Sequence, residues 1–183
     1  MAARGGPAVV LGVGNVLLRD DGVGVRVVEG LRSLVADDPS ALPEGTRLVD
    51  GGTLGLDLLR TVDGARCLLL LDAVDLGRPA GTVSVLRGDA ILAAGGAWGR
   101  SVQGGVAEVL SVAGLMGWLP DMVAMVGIQA HDTDFGIGLS EQVAAALPHA
   151  IATARDELRG LLELADAPAL RTAGTGEAEG ATA

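Results

Sequence analysis

The stretch "LGVGNVLLRDDGVG", residues 11–24, decides the fold of this chain. Residues 8–14 form a continuous apolar run, which is typical of a strand covered on both faces. Two glycines, Gly12 and Gly14, predict a turn, and two adjacent acids follow it. The residues after the acids then have helical periodicity, with Asp21 as the expected N-cap and one apolar face made of Val23, Val27, Leu31 and Leu34. A buried strand that leads through a glycine turn into a helix is the opening unit of an α/β sheet.

The alternation of strands and helices continues along the chain. We predict further strands at residues 46–50, 66–72, 82–87 and 122–128. Helices are expected from Thr53 as a cap, over residues 103–117, and from Ser140, with Pro148 kinking or restarting the last one. This pattern predicts a three-layer α/β/α sandwich with a mostly parallel, twisted sheet of about five strands. Residues 1–165 form one domain, and residues 166–183 have the composition of a disordered tail.

Composition excludes several classes of partner. The 183 residues carry a net charge of −10, so the chain lacks the basic face that nucleic acid or an anionic membrane attracts. The apolar N-terminal run is too short to span a bilayer and lacks a signal-peptide cleavage site. Cys67 is the only cysteine, so no internal disulfide is possible. These features place the protein in a reducing compartment, the cytoplasm.

The glycine turn is not a nucleotide-binding loop. The dinucleotide fingerprint needs a third glycine where this chain has Leu17, and Asp20 and Asp21 would repel a pyrophosphate at the helix start. The chain contains no lysine and no phosphate-binding lysine motif. We therefore expect no nucleotide cofactor. Because functional groups collect beyond the carboxyl ends of parallel strands, the turn instead places Asp21 at the same sheet edge as Asp72, which ends the third strand.

Four sequence blocks, in order, resemble the hydrogenase maturation endopeptidases. They are "LGVGNVLLRDDGVGVRVVEGL", "DGGTLGLDLL", "LLLLDAVD" and "GIQAHDTDFGIGLS", and the likeness covers about residues 8–160. The resemblance implies removal of the C-terminal tail of the large subunit of a nickel–iron hydrogenase. It also implies a metal bound by two carboxylates and a histidine where the precursor's nickel site docks, with cleavage only after nickel is loaded. The carboxylates correspond to Asp21 and Asp72.

The family histidine is missing from its expected position. Ungapped counting places Val102 there, with Gln103 beside it. Of the two histidines, His131 lies in the loop after the last strand, at the right sheet edge, and is the candidate third metal ligand. His149 is expected to face solvent. Because two carboxylates make a weak, oxygen-only site, nickel is expected in the substrate, whose cysteine thiolates supply the softer ligands.

The residue types agree with peptide hydrolysis. A divalent ion near two carboxylates can polarise a scissile carbonyl or acidify a water, so Asp21 and Asp72 are the expected catalytic residues of an aspartyl-type endopeptidase. The chain lacks the motifs of serine and zinc proteases. Secondary candidates are Asn15, Asp20, Asp50 and the segment 51–53. The alternative is a non-catalytic relative that binds the hydrogenase precursor as an assembly chaperone, which the missing histidine favours.

Overall fold

A five-stranded sheet lies at the centre of the protein. The computed structural model describes residues 6–88, 90–91 and 106–167. The strands are β1 (Ala8–Val13), β2 (Thr46–Gly52), β3 (Cys67–Val74), β4 (Val83–Arg87) and β5 (Met122–Gln129). Their order is β2-β1-β3-β5-β4, and all pairs are parallel except β4 with β5. The prediction of a mostly parallel sheet of about five strands is confirmed.

Helices cover both faces of this sheet. They are α1 (Val23–Asp37), α2 (Leu59–Val62), α3 (Val106–Leu115) and α4 (Glu141–Asp166), with 3-10 turns at Arg19–Gly22 and Gly55–Leu58. Among the residues described, no helix is long and apolar enough to cross a membrane. Helix α4 reaches just past the predicted domain end at residue 165. Most of the predicted tail, residues 168–183, lies outside the described part of the chain.

The strand side chains alternate between two apolar cores, which confirms the sandwich. Val10, Leu69 and Leu71 pack in the core formed with α1 and α4. Their strand neighbours, among them Leu68 and Leu70, pack in the core formed with α2 and α3. Cys67 belongs to the first core and is fully buried, so both faces of β1 and β3 are covered, as their apolar sequences predicted.

Two of the expected helix caps are wrong. Helix α1 begins after Gly22 without a side-chain cap, because Arg19–Gly22 form a 3-10 turn and the carboxylate of Asp21 bonds to an amide in the preceding loop. Thr53 caps no helix, because a 3-10 turn that starts at Gly55 leads into α2. Ser140 is confirmed as the cap of α4, where its hydroxyl oxygen accepts a hydrogen bond from the Val143 N–H.

The glycines of the opening motif allow α1 to lie directly on the sheet. A Cβ atom at Gly24 would collide with the carbonyl oxygens of Leu71 and Val13, and one at Gly12 would collide with the backbone of Gly24. Gly14 has a φ of 119°, and a Cβ there would collide with the carbonyl oxygen of Asp21. The first turn of α1 therefore touches the carboxyl ends of β1 and β3.

Candidate active site

The structure brings Asp21 and Asp72 together at the carboxyl edge of the sheet. Gly24 lies against the carbonyl of Leu71, the residue before Asp72, so the start of α1 is beside the end of β3. Asp21 stands three residues before Gly24, in the 3-10 turn that leads directly into α1. The negative charge of Asp21 also raises the pKa of Asp72, which is consistent with the two acids lying at the same edge of the sheet. Both residues remain partly accessible to solvent.

Asp72 is in an environment that disfavours its charge. Burial of the carboxyl group raises the pKa of Asp72 well above its usual value, and the neighbouring Asp21 raises it further. The N–H of Ala73 donates a hydrogen bond of 2.8 Å to Oδ1 and partly opposes this shift. The pair is therefore more stable when Asp72 holds a proton or when a cation offsets the two charges.

Asp21 is held by the glycine loop. Its Oδ2 accepts a hydrogen bond of 2.7 Å from the N–H of Asn15, and the Asn15 side chain accepts one of 3.0 Å from Leu17. Asn15 thus fixes the loop by a local side-chain bond, as its sequence position predicted. The other oxygen of Asp21 accepts no hydrogen bond from the described residues, which leaves it available to a docked group.

Asp20, the other acid of the pair, is a structural residue. It is fully buried, and its two oxygens accept hydrogen bonds from the N–H groups of His131, Asp132 and Ser140 and from the Ser140 hydroxyl, at 2.6–2.9 Å. Burial alone would raise the pKa of Asp20, but these hydrogen bonds outweigh it and lower the pKa. Asp20 thereby fastens the loop after β5 to the loop after β1. Sequence reasoning missed this role, and nothing in the local pattern distinguishes the buried acid from the open one.

His131 does not complete a metal site in this structure. Its side chain is exposed, and its backbone N–H is the group that contacts Asp20. Within residues 6–88, 90–91 and 106–167, no three or more His, Cys, Asp or Glu side chains are grouped so that they could hold a metal. Asp21, Asp72 and His131 therefore do not form such a group. Val102 and Gln103, at the expected histidine position, lie outside the described residues, and His149 is exposed on α4 as expected.

The end of β2 forms one side of the site. The N–H of Gly14 donates a hydrogen bond of 3.0 Å to the carbonyl of Gly52, so this strand end is tied to the glycine loop. Asp50 is exposed and accepts a hydrogen bond of 3.0 Å from the N–H of Gly52, a local turn contact. Contact of residues 51–53 with a substrate backbone stays a prediction.

The fold and the acid pair define an α/β protein with a reactive sheet edge, and comparison with known proteins gives its family. Residues 25–157 match the family model described as hydrogenase maturation protease. Hydrogenase expression/formation protein HupD of Rhodobacter capsulatus is 42% identical over 153 residues, which are 82% of this chain and 70% of that protein. The hydrogenase 2 maturation protease of Escherichia coli is 34% identical, with 78% of this chain and 85% of that protein covered.

Solved structures give the same result. The hydrogenase maturating endopeptidase HybD from E. coli superposes with a TM-score of 0.72 at 30% identity, covering 84% of this chain and 93% of that one. This chain belongs to the hydrogenase maturation protease family, whose members are peptide hydrolases of hydrogenase maturation. The family match includes Asp72 and His131 and begins just after Asp21.

Proposed function

We propose that this protein removes the C-terminal tail of a nickel-loaded nickel–iron hydrogenase large-subunit precursor, with Asp21 and Asp72 as the catalytic residues. The observation that carries the proposal is the convergence of these two carboxyl groups at an accessible sheet edge, where they raise the energy of the charged pair. Such a pair is suited to a cationic partner and to proton transfer. Its location at the carboxyl edge of the sheet is the usual position for function in this architecture.

The two aspartates would have different roles in hydrolysis. Water adds to the scissile carbonyl, the C–N bond breaks, and the leaving amine takes a proton. Asp72 suits the proton-transfer role, because burial and the charge of Asp21 raise the pKa of its carboxyl group and favour the protonated form, which can donate a proton to the amine. Asp21 is fixed through one oxygen by Asn15 and offers the other towards the docked substrate.

Nickel is assigned to the substrate in this proposal. Asp21 and Asp72 provide carboxylate oxygens, and the part of the chain that the structure describes holds no group of three or more His, Cys, Asp or Glu that could bind a metal. Nickel held by two carboxylates also needs softer ligands for tight binding. Thiolates of the precursor supply them, so the site meets a metal that is already held. We expect the purified protein to bind free nickel weakly, and we place its activity in the cytoplasm, where a single buried thiol and no disulfide are the normal condition.

The test is cleavage of purified, nickel-loaded precursor by the full-length protein, followed by mass spectrometry. Asp21→Asn and Asp72→Asn are each expected to slow loss of the tail by about 100-fold or more, because a positioned acid–base group contributes about that factor. Asp63→Asn, an exposed aspartate at the end of α2, is the matched control and should cleave normally. Unchanged cleavage by both site variants would refute the assignment of the two aspartates.

The chaperone alternative makes a different prediction in the same assay. It is favoured by Val102 at the position of the family histidine. In that case the wild-type protein would co-purify with the precursor, and the tail would stay attached after nickel loading.

A further inference from the structure

Exposed apolar side chains are concentrated at the edge of the sheet that carries the acid pair. In the described part of the chain, nine large apolar side chains are exposed, and five of them lie in the loops that follow β1, β2 and β5. Because these strands run parallel, all three loops are at the carboxyl edge, with Asp21 and Asp72. We name the five the apolar rim: Leu17, Leu54, Leu56, Phe135 and Ile137.

The loops that carry the apolar rim are fastened to one another. The N–H of Gly14 donates to the carbonyl of Gly52 at 3.0 Å, which ties the loop after β1 to the end of β2. The N–H of Gly136 donates to the carbonyl of Leu17 at 2.8 Å, and the N–H of Arg19 donates to the carbonyl of Gly136 at 3.1 Å. The loop that leads to Asp21 is therefore attached to both of the other loops.

A bend in the loop after β5 holds the two most exposed members of the apolar rim. The chain bends on either side of Gly136, and the Arg19 side chain fills the space where a Cβ of Gly136 would lie. Phe135 and Ile137, its neighbours, are each 82% exposed, and Phe135 is the only phenylalanine of a chain without tyrosine. Large apolar side chains grouped at a surface mark an interaction site.

The charges beside the apolar rim are acidic. Asp57 and Asp134 are exposed in the same loops. The only lysine or arginine of residues 14–22, 53–58 and 130–140 is Arg19, and Asp132 engages it at 3.3 Å. The whole chain carries a net charge of −10. The complement of this surface is an apolar area bordered by lysine or arginine.

We propose that the apolar rim is the docking surface for the hydrogenase precursor, and that it holds an apolar area with a basic border next to the scissile bond. The inference rests on the proposed function and names the surface that binds its substrate. A peptide bond that reaches Asp21 and Asp72 brings the surrounding substrate against the loops of the rim. The side chains at the rim then supply binding, and the acid pair supplies the chemistry.

Two double variants on different loops test the docking surface. They are Phe135→Ser/Ile137→Ser and Leu54→Ser/Leu56→Ser, each made in the wild-type protein and in the Asp72→Asn background, where binding is measured without cleavage. With nickel-loaded precursor we expect Kd and KM to rise by about tenfold or more for each pair, because a few apolar anchors dominate interfaces. We expect kcat to change by less than about twofold.

The matched control is Leu115→Ser/Leu164→Ser. Leu115 is 89% exposed at the end of α3, and Leu164 is 55% exposed near the end of α4. Neither lies in the loops of the apolar rim, so Kd, KM and kcat should be unchanged. Docking on the rim is overturned if both rim variants bind as the wild-type protein does, if they lose kcat with Kd unchanged, or if the control weakens binding equally.

A second copy of this chain is the competing occupant. Sedimentation of the protein alone would show it as a dimer that the rim variants convert to monomers, with the Kd for precursor unchanged, and that result would also overturn the proposal. Failure of the proposed function gives a different result. If the wild-type protein binds precursor through the rim but never cleaves it, docking stands and the peptidase proposal fails.

Discussion

Asp20, Asp21 and Asp72 carry the same side chain in three different surroundings. Asp20 is sealed beneath the surface with four hydrogen-bond donors, Asp21 accepts one hydrogen bond, and Asp72 is pushed towards its neutral form by burial and by Asp21. The surroundings give the first a structural role and leave the other two as the acids of the proposed function. Function at this edge depends on which amides each carboxyl group can reach.

The raised pKa of Asp72 predicts a gain in stability when its charge is removed. A carboxyl group whose pKa is higher in the folded state destabilises the fold above its unfolded pKa, near 3.8. Asp72→Asn should therefore raise the free energy of unfolding at pH 7 by about 0.5–2 kcal/mol, the range of stabilising changes at functional sites. Urea denaturation from pH 3 to pH 8 should show the gain growing with pH and vanishing below about pH 3.8. A gain that is largest in acid would contradict burial and charge repulsion as its cause.

The resemblance selected Asp21 over the adjacent Asp20 as a site residue, but the sequence did not show what Asp20 does instead. Strand ends can be read from apolar runs, so Asp21 and Asp72 could be placed at one edge. The role of Asp20 depends on amides more than 110 positions further along the chain, at His131, Asp132 and Ser140. A local sequence pattern cannot predict contacts between residues so far apart in the chain. His131 was placed correctly in its loop, but the direction of its side chain could not be read from the sequence.

At the level of secondary structure, the opening motif is a packing device. Its glycines have spacing similar to that of a nucleotide-binding loop, but here they allow close backbone packing. The backbone of Gly24 occupies the space beside Gly12, and the backbone of β1 and β3 occupies the space beside Gly24. The close approach of α1 to the sheet is what sets Asp21 beside Asp72. The same residue type thus serves a carboxylate site here and a phosphate site in dinucleotide-binding folds.

Substitution of Gly24 by alanine should destabilise the protein. The added methyl would overlap the carbonyl oxygens of Leu71 and Val13, which belong to the sheet and cannot move aside. We expect a loss of about 1–3 kcal/mol, measured by thermal or urea unfolding. Gly160→Ala is the matched control in α4, where a Cβ meets nothing within 4 Å, and it should gain about 0.5–1 kcal/mol. Equal effects of the two substitutions would show that helix propensity, and not contact with the sheet, governs position 24.

Strands were easier to anticipate than helix starts. The apolar runs that became β1, β3 and β5 are buried on both faces, so composition alone identifies them. Helix starts depend on one or two hydrogen bonds. Asp21 and Thr53 have residue types suitable for caps, but 3-10 turns precede both helices and shift their first residues. Ser140 meets the geometric requirement, because its hydroxyl reaches the N–H three residues ahead.

For the whole molecule, Asp20 joins regions that are distant along the chain. Helix α4 and the loop before it come after β5, yet their attachment to the opening turn depends on this one buried carboxylate. The long-range contact fixes the loop after β5 and the first turn of α4 to the opening turn. Loss of Asp20 would therefore loosen both attachments at once.

Asp20→Asn should lower the free energy of unfolding by about 2–3 kcal/mol. An amide nitrogen in place of one oxygen would face buried N–H donors that it cannot accept from. Asp38→Asn is the control: Asp38 also accepts hydrogen bonds, from Ser40, but is exposed, so its change should be much smaller. In hydrogen exchange, the Asp20 variant should lose protection first in residues 131–143. Uniform loss of protection over the whole sheet would argue against a local role of Asp20 in holding residues 131–143.

The burial of Cys67 bears on whether this protein could take a metal ion from its substrate. The only thiol of the chain lies at the first residue of β3, fully covered, and burial raises the pKa of Cys67. Under the proposed function, the protein approaches a nickel ion that thiolates already hold, and its own thiol is too deeply buried to compete for that ion. On that view, the protein contacts the ion without removing it, and the nickel stays with the processed hydrogenase.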